Sequence, residues 1–318
     1  MLHHECHRNN FVPIDVHADV AAIVVTYNSA ADVSSLIEDL RTATRSCAVR
    51  LIVVDNGSSD GTSDVIRAHS DVIFVDSGGN LGYAGGINCG LRWIGSCDAV
   101  LVLNPDLRLA PDAVPRLLGA LEADNVGAAV PLMLDENDVT YMSLRHEPSI
   151  IRAIGDALLG GKVRRRPTFS SEIDARPERY AEPHDVDWAT GAAILVRASV
   201  AHDVGDWYEE FFLFSEETDY CRRIRARGHR IRFEPTAVVK HRQGGSGTSS
   251  LTTLLAVNRV RYVERHHGRL YSAAFRAAVL LAEALRSYDP AHRRTWAVVA
   301  NRDRWRDLPK ATRTRANA

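Results

Sequence analysis

The chain has 318 residues, of which 45% are hydrophobic and 25% charged, and its formal net charge is -1, from 39 basic and 40 acidic residues. This composition is typical of a soluble globular protein with one large domain, or one domain with an appendage. The near balance of charge argues against a nucleic-acid partner. Five cysteines without a CxxC pair favour a reducing compartment. The polar start and the lack of a long apolar run predict a cytoplasmic protein without a signal peptide or a membrane span.

Short apolar runs alternate with helical patterns through the first half of the chain. The runs predict strands at 21–25, 51–54, 72–75, 99–103 and 126–134. The helical patterns lie at 31–40, 63–69 and 87–93, and a further helix is predicted to open at Pro111 in its first turn. Continuous apolar strands separated by helices indicate a mostly parallel sheet covered on both faces.

The pattern weakens between 135 and 183, where Lys162 lies close to three arginines at 164–166. This region is interpreted as a loop-rich insertion with some helix. Regular structure is predicted again from Trp188, with strands at 192–196, 231–233 and 238–239 and a helix at 219–227. From 251 onward the chain is predicted to be helical and is rich in arginine. These arginines fit either an anionic membrane surface or a solvated helical face, and both readings stay open.

Polar residues follow four of the predicted strands, and ligands bind beyond the carboxyl ends of such strands. They are Tyr27-Asn28, Asp55-Asn56-Gly57, Asn80 and Asn104-Pro105-Asp106. A carboxylate such as Asp55 can accept a hydrogen bond from a base or a ribose, whereas Asp60 and Thr62 are better explained by turn and helix-start chemistry. We therefore expect one site fed by four strands.

Two further features of this half suit a phosphate-bearing ligand. The glycine-rich stretch 78–88 permits close backbone approach and offers amides at a helix start, although its spacing is not GxGxxG. Asp106 is a candidate for a hard divalent cation, which prefers oxygen ligands and is often held by one or two carboxylates together with substrate phosphates.

Three carboxylates, Glu216, Glu217 and Asp219, directly follow the aromatic run 211–214. Like charges crowded beside apolar rings raise the pKa of at least one carboxyl, which is a way to tune a general base. The alternative is an acidic first turn that suits the helix dipole. Both hold if Glu216 and Asp219 are structural and Glu217 is catalytic. Among 13 histidines, His241 is the favoured site residue because it follows a strand and precedes a glycine loop at 244–246 that could close over a substrate.

Taken in order along the chain, these motifs resemble those of family 2 glycosyltransferases, most closely the rhamnosyltransferase-like branch, over about residues 21–246. The motifs that carry the resemblance are Val24-Val25-Thr26-Tyr27-Asn28, residues 54–62, residues 80–86, Asn104-Pro105-Asp106, Thr190-Gly191-Ala192, Glu216-Glu217-Thr218-Asp219 and His241. The resemblance implies a GT-A fold, an inverting mechanism and a role in cell-wall or polysaccharide biosynthesis. It also implies a flexible N-terminus at 1–18, a catalytic domain at 19–248 with a nucleotide-binding half at 19–134 and an acceptor half at 135–248, and a helical extension at 249–318.

The resemblance also implies a role for each site residue. Asp55 would hold the pyrimidine base in a pocket lined by Thr26 and Tyr27. Asn28, Asn80, Gly82 and Asn104 would complete the donor site, with Asn104 on the ribose. Asp106, helped by His241, would bind Mg²⁺ or Mn²⁺ on the donor diphosphate. Glu217 would be the general base, and Trp188, Gly191 and Glu216 would border the sugar and the acceptor.

Two positions depart from the family pattern. The metal motif often carries two acids, but its first position here is Asn104, which weakens the case for tight metal binding. The base is more often Asp, and Glu217 adds a methylene that changes the geometry.

The expected donor is dTDP-L-rhamnose, with a UDP-hexose or a galactofuranose donor as the alternative. The expected acceptor is a polyprenyl-linked saccharide or another cell-envelope glycan, reached from the inner face of the membrane if the arginine-rich helices contact lipid. Whether the protein forms a homo-oligomer is left open. A non-catalytic nucleotide-sugar-binding scaffold of the same fold is the alternative of a different class. The joint presence of Asp106, Glu217 and His241 argues against it.

Overall fold

The computed structural model describes residues 10–159, 167–242 and 249–313. Its strands are β1 (Ala18–Thr26), β2 (Val49–Asp55), β3 (Ile73–Asp76), β4 (Cys97–Leu103), β5 (Leu107–Leu109), β6 (Val126–Leu134), β7 (Leu144–Arg145), β8 (His184–Val186), β9 (Trp188–Ala189), β10 (Ala193–Arg197) and β11 (Arg230–His241). Its helices are α1 (Val33–Ala43), α2 (Thr62–Arg67), α3 (Gly82–Leu91), α4 (Ala113–Leu121), α5 (Ile150–Leu159), α6 (Ala198–Val204), α7 (Glu216–Ala226), α8 (Ser249–His266), α9 (Arg269–Leu285) and α10 (Pro290–Ala300).

Within these residues a nine-stranded sheet forms the centre of the fold, in the order β3-β2-β1-β4-β10-β6-β11-β5, with β8 also paired to β11. The strands β1 to β4, β6 and β11 run in one direction, and β5, β8 and β10 run against them. The central strands are buried on both faces, which explains why they appear as continuous apolar runs. The predicted mixed α/β class with a mostly parallel sheet is confirmed.

The sheet lies between two hydrophobic cores. Helices α1 and α4 cover one face, and α3, α6 and α7 cover the other. Helix α3 lies close to β1 because Gly86 and Gly90 face it: a Cβ at Gly86 would lie 2.5 Å from Val25 Cγ1. A third core joins the C-terminal helices to Phe211 and to Ala153 of α5. The C-terminal helices therefore pack on the carboxyl-end side of the molecule, near the acidic helix α7.

Several sequence predictions need correction at the level of elements. Helix α3 begins at Gly82 rather than at residue 87, because glycines that lower helix propensity are used here for close packing. The predicted helix opening at Pro111 begins at Ala113, and Pro111 precedes the N-cap Asp112. The two short strands expected at 231–233 and 238–239 form one strand, β11, with a register shift between Glu234 and Val238. Neither β5 nor α6 was predicted.

The N-terminal segment also differs from the prediction of a flexible stretch at 1–18. Phe11 and Val12 are buried, and the Val12 amide donates to the Val49 carbonyl at 2.8 Å. The buried Arg50 guanidinium donates to the Pro13 carbonyl at 2.7 Å and also to that of Val16. These hydrogen bonds fix residues 10–17 against the sheet, while residues 1–9 lie outside the described part of the chain.

Four arginines of the C-terminal region have partners inside the fold. Arg265 donates to the buried carboxylate of Asp219, and Arg276 donates to the carbonyl oxygens of Val299 and Ala300. Arg259 pairs with Glu172, and Arg302 pairs with Glu264. These four arginines hold α8 to α10 against their neighbours, whereas Arg269, Arg294, Arg304 and Arg306 are exposed. For the exposed arginines, both a membrane surface and a solvated face stay predictions. Arg315 lies outside the described residues.

No helix in the described ranges is both long and apolar enough to cross a bilayer.

Candidate active site

The ends of β1 and β2 form a network around Asp55. Its carboxylate accepts hydrogen bonds from the hydroxyls of Thr26 at 3.1 Å and Ser63 at 2.8 Å, and from the Ser58 amide at 3.2 Å and hydroxyl at 2.5 Å. The residue is almost fully buried. Asp55 thus organises the loop after β2, and a direct contact with a nucleotide base stays a prediction.

The neighbouring loop is fixed by Asn28 and Asp60. Asn28 adopts a positive φ of 51°, and its side-chain oxygen accepts the Ser59 amide at 2.8 Å. Asp60 accepts the Thr62 amide at 3.1 Å and the Ala30 amide at 3.1 Å, which bears out the turn role expected for it. Tyr27 is exposed beside this network. An exposed ring next to a rigid loop is available to a planar ligand.

The glycine-rich stretch is held to the same loop by two asparagines. Asn80 Oδ1 accepts the Gly82 amide at 3.0 Å, and Asn56 Nδ2 donates to the Gly82 carbonyl at 2.9 Å. Gly82 has a φ of 76°, and a Cβ there would overlap the carbonyl oxygen of Phe212. The absence of a side chain at Gly82 therefore allows the close approach of Phe212. Contacts of Asn80 and Gly82 with a donor stay predictions.

Asp106 and His241 come together because β5 pairs antiparallel with the end of β11. His241 is opposite Leu107 in this ladder, so its ring lies beside Asp106, with Nε2 3.2 Å from Oδ2. Burial alone would raise the pKa of Asp106, but the hydrogen bond and charge of His241 lower it below the ordinary value. Within the described residues, His241 Nδ1 is buried without a hydrogen-bond partner.

Charged residues surround this pair. Arg242 forms an ion pair with Asp32 at 2.5 Å, and its amide donates to the Asp106 carbonyl at 3.2 Å. Burial raises the pKa of Asp32 and the charge of Asp106 adds to this, while Arg242 opposes the shift. A cavity of about 320 Å³ is lined by Asp32, Asp106, Arg242 and Lys240, among others. The cavity can take a small charged group beside Asp106.

The side chains of Asp106 and His241 fit as ligands of a divalent cation whose coordination shell is completed by phosphate oxygens. One ionised carboxylate and one imidazole suit Mn²⁺, and hard cations commonly complete their shell with substrate phosphates. No group of three or more His, Cys, Asp or Glu side chains in the described residues is arranged to hold a metal alone. Asn104 lies at the end of β4, where its amide donates to the Ala192 carbonyl at 2.8 Å, and its predicted ribose contact is untested.

Glu216 and Glu217 open α7, and their environments differ. Glu216 is 3% exposed, and burial followed by the charge of Glu217 raises its pKa well above the ordinary value. Burial also raises the pKa of Glu217, while nearby backbone amides and the charge of Arg145 oppose the shift. Glu217 is half-buried, and its Oε2 has no hydrogen-bond partner among the residues that the structure describes. The Oε2 atom of Glu216 also lacks a partner among the described residues, so the two carboxyls differ mainly in that Glu217 is partly exposed.

Tyr83 links this acidic pair to Asp106. Its hydroxyl donates to the Gly191 carbonyl at 3.1 Å, and its amide donates to the Phe212 carbonyl at 2.7 Å. Burial raises the pKa of Tyr83 well above the ordinary value, and the charges of Glu216, Glu217 and Asp106 raise it further. The charges of these three carboxyls act on one phenol, so the base and metal candidates lie in the same region of the structure.

The predicted acceptor side of this site contains Gly191, Trp188 and Arg145. A Cβ at Gly191 would lie 3.1 Å from the Glu217 Cβ, so this glycine makes room for the carboxylate. Trp188 is paired in register with Arg145, and its Nε1 donates to the His146 carbonyl at 3.0 Å. Trp188 is thus held in a wall beside Glu217, although its contact with an acceptor is untested.

Asp219 has a structural role, as one of the two interpretations of the sequence predicted. It is fully buried and accepts hydrogen bonds from Arg223 at 2.7 Å, Arg265 at 3.1 Å and His266 at 2.7 Å. Since Arg265 and His266 belong to α8, this carboxylate joins the C-terminal extension to the acidic helix.

Sequence reasoning missed the site roles of Tyr83, Arg145, Asp32 and Arg242. Tyr83 had a signal, because it is the aromatic residue within the glycine-rich stretch, and Arg242 directly follows His241. Arg145 had none, since it lies in the region without a periodic pattern. The loop at 244–246 and the cationic cluster at 162–166 lie outside the described residues.

Comparison with known proteins identifies the family of the chain. A family model described as glycosyl transferase family 2 matches residues 21–190. The N-acetylglucosaminyl-diphospho-decaprenol L-rhamnosyltransferase of Mycobacterium tuberculosis is 30% identical over 287 residues, which cover 85% of this chain and 92% of that protein. The low-salt glycan biosynthesis hexosyltransferase Agl10 of Haloferax volcanii is 31% identical over 213 residues, which cover 65% of this chain and 62% of that protein.

Solved structures share the fold. A mannosyltransferase from Pyrobaculum calidifontis in complex with GDP-Man and Mn²⁺ has a TM-score of 0.55 at 15% identity, covering 91% of this chain and 86% of that one. A glucosyl-3-phosphoglycerate synthase from Mycobacterium tuberculosis in complex with Mn²⁺, uridine-diphosphate and phosphoglyceric acid has a TM-score of 0.51 at 15% identity, covering 78% of each chain. The expected GT-A fold is confirmed. Because the family model spans more than half of its length, the chain belongs to glycosyltransferase family 2 and is a glycosyltransferase.

Proposed function

We propose that this glycosyltransferase transfers L-rhamnose from dTDP-L-rhamnose to a polyprenyl-linked saccharide, with inversion at the anomeric carbon. The observation that carries the proposal is the arrangement around Tyr83. Glu217 lies beside Gly191, whose carbonyl accepts from the Tyr83 hydroxyl, and the charges of Glu217 and Asp106 both act on that phenol. A transferase needs a base and a site for the leaving diphosphate close together.

Glu217 acts as the general base in this proposal. Its carboxylate takes the proton from an acceptor hydroxyl, and that oxygen attacks the anomeric carbon from the face opposite the diphosphate. Positioned general bases contribute roughly 10² to 10⁴ in rate. Burial raises the pKa of Glu216 well above its ordinary value, so in this proposal Glu216 is the protonated neighbour of the ionised base. Two carboxyls whose environments separate their pKa values commonly divide such roles.

Asp106 and His241 hold Mg²⁺ or Mn²⁺ in this proposal. Such an ion would act as a Lewis acid on the leaving diphosphate. The lowered pKa of Asp106 keeps it ionised, and the pair lies next to Arg242, which adds positive charge on the same side. Asp55, Thr26 and Tyr27 form the base pocket, and Asn28, Asn80, Gly82 and Asn104 line the remaining donor site.

The rhamnosyl donor is supported by the mycobacterial relative, whose name specifies an L-rhamnosyltransferase acting on a decaprenol-linked N-acetylglucosamine. A UDP-hexose donor is the second candidate, and the haloarchaeal relative, named a hexosyltransferase, favours it. A galactofuranose donor has no comparable support among these relatives.

A panel of nucleotide sugars separates these candidates. Thermal unfolding is measured with dTDP-L-rhamnose, UDP-glucose, UDP-galactofuranose and GDP-mannose, each with and without Mn²⁺, since a ligand that binds the native state raises the melting temperature. We expect the largest metal-dependent rise with dTDP-L-rhamnose. Transfer is then measured by chromatography on a short-chain polyprenyl-diphosphate N-acetylglucosamine. A larger rise and turnover with a UDP-sugar would replace the donor assignment, and binding without any turnover would favour a scaffold.

A further inference from the structure

The five residues 211–215, which directly precede the acidic helix α7, have an unusual backbone conformation, and we call them the pre-α7 turn. Three of them have a positive φ, which is 63° at Phe212, 71° at Phe214 and 73° at Ser215. Positive φ values are uncommon outside glycine and are marked outliers for bulky side chains. Such conformations cost free energy and persist only where the surrounding structure holds them.

Phe212 is the centre of a γ-turn. Its ψ is -57°, and the amide of Leu213 donates across it to the carbonyl of Phe211 at 2.7 Å. A γ-turn with a positive φ at its centre is rare and strained. The Phe212 carbonyl oxygen accepts the Tyr83 amide at 2.7 Å and leaves no room for a side chain at Gly82. One side of the pre-α7 turn therefore lies against the glycine-rich stretch.

Asn258 of α8 binds the pre-α7 turn from the C-terminal extension. It is fully buried, and its Nδ2 donates to the carbonyl oxygens of Phe211 at 2.6 Å, Leu213 at 2.8 Å and Phe214 at 3.2 Å. An amide nitrogen has two hydrogens, so these three carbonyls share both. The Asn258 Oδ1 accepts a hydrogen bond from Arg261 at 3.0 Å, which orients the amide. A single buried side chain thus contacts three of the five carbonyl groups of the turn.

The pre-α7 turn determines where α7 begins. Ser215 is the N-cap residue of this helix, and its carbonyl accepts the Asp219 amide at 3.0 Å. Glu217 is the second residue of the helix, so its place follows from the path of the turn. Glu217 also lies close to Gly191, where an added Cβ would be 3.1 Å from the Glu217 Cβ. A small displacement of the turn would therefore change the surroundings of the carboxylate.

We propose that Asn258 is a positioning residue, which holds the pre-α7 turn in its strained conformation and so fixes the place of Glu217. This inference rests on the proposed function, in which Glu217 takes the proton from the acceptor. A misplacement of about 1 Å can cost roughly 100-fold in rate, and a strained turn released from its hydrogen bonds relaxes along a different backbone path. The C-terminal extension then has a part in the reaction, because α8 holds the base in place.

The test compares Asn258→Ala with Thr253→Ala, a control in the same helix. Thr253 is buried, and its hydroxyl lies 2.8 Å from that of Thr295 in α10. Its truncation therefore also removes a buried hydrogen bond of α8, but one that does not involve the pre-α7 turn. Both variants should have a lower melting temperature than the unchanged chain.

Activity is measured well below both melting temperatures, at saturating donor and acceptor. Asn258→Ala should lower kcat about 10- to 100-fold, and Thr253→Ala should leave it within about twofold. The donor KM of Asn258→Ala should stay close to that of the unchanged chain, because Asn56 and Asn80 still hold the glycine-rich stretch. If Asn258→Ala does not fold, Asn258→Ser keeps a hydroxyl donor and supplies the same comparison, with a loss of kcat in the same direction.

The Glu217→Gln background separates positioning of the base from a general loss of structure. If Asn258 acts through Glu217, adding Asn258→Ala to Glu217→Gln should lower the residual kcat by less than about twofold, since the group that Asn258 positions is already replaced. A full further loss in that background would overturn the proposal. Equal kcat values for Asn258→Ala and Thr253→Ala would overturn it as well.

The same variants distinguish this inference from the proposed function. An inactive Glu217→Gln beside a fully active Asn258→Ala would refute the role of Asn258 alone. Undiminished turnover of Glu217→Gln would refute the base assignment and this inference with it.

Discussion

Exchange of each member of the Glu216–Glu217 pair for glutamine gives the sharpest test of the site. Glutamine resembles a protonated glutamate in shape and charge. Glu216 is buried with a strongly raised pKa, so Glu216→Gln replaces one neutral group by another. Glu217 is the carboxyl that must ionise, and Glu217→Gln removes the proton acceptor while it keeps the side-chain volume.

The expected magnitudes follow from these environments. Loss of a positioned base should lower kcat by about 10² to 10⁴, which corresponds to roughly 3–5 kcal/mol of transition-state stabilisation. Glu216→Gln should change kcat by less than about fivefold, because no charge changes when a protonated carboxyl is replaced. Donor binding should stay within a few-fold of the original in both variants, since neither side chain is assigned to the nucleotide.

The pH dependence supplies a second measure. The pKa of Glu217 is raised by burial, so activity should fall as the pH drops through that raised pKa, above the range of an ordinary glutamate. For Glu216, a folded-state pKa above the unfolded one contributes stability that is complete at low pH and is lost as the pH rises through the folded pKa. Glu216→Gln should therefore reduce the decline of the unfolding free energy at higher pH.

The assay measures kcat by chromatography at saturating donor and acceptor, with donor affinity measured by calorimetry. If Glu217→Gln retained more than about a tenth of the original kcat, the base assignment would be refuted. The loss of kcat would then be smaller than the smallest loss expected for removal of a positioned base. Equal losses in the two variants would refute the division of roles between them.

Three further perturbations test the metal candidate, the glycine loop and the anchor of α8. Asp106→Asn should weaken Mn²⁺ binding in the presence of dTDP roughly 100-fold, and an unchanged Mn²⁺ titration by calorimetry would exclude Asp106 as a ligand. In a denaturant titration, Gly82→Ala should destabilise the fold by about 2–4 kcal/mol, because the φ of Gly82 is 76° and a Cβ there would overlap the Phe212 carbonyl. Gly119→Ala is the control, since its Cβ would meet nothing within 4 Å. It should stabilise the fold by about 0.5–1 kcal/mol in the same titration. Asp219→Asn should lower the unfolding free energy by about 3 kcal/mol at neutral pH. Burial alone would raise the pKa of Asp219, but its hydrogen-bond and charge partners lower it, so this difference should shrink as the pH falls below about 4, and a pH-independent difference would contradict the assigned pairing.

Much of the nucleotide-binding half was predictable because its strands are buried on both faces. Each such strand must be apolar along its whole length, so β1, β2, β4 and β6 are visible as local runs. The polar residues after them then fall at one edge of the sheet.

The second half was harder to predict for physical reasons that differ from element to element. Strand β5 has three residues, too few for a periodic pattern, yet its pairing with β11 is what places His241 beside Asp106. Helix α5 lies in the region where the sequence pattern weakens, and in the structure its small residues are buried while its large apolar residues face outward. The sequence pattern alone does not say which side of such a helix is buried.

By itself the sequence determined the fold class, the order of the motifs and the candidate residues, because each of these is encoded in short stretches of chain. Only the tertiary structure decided that the charges of Glu217 and Asp106 act on the same Tyr83 phenol, that Gly82 accommodates Phe212, and that arginines such as Arg276 are held within the fold. Such contacts depend on residues far apart in the chain. Their partners are set by the path of the backbone between them, which no local pattern records.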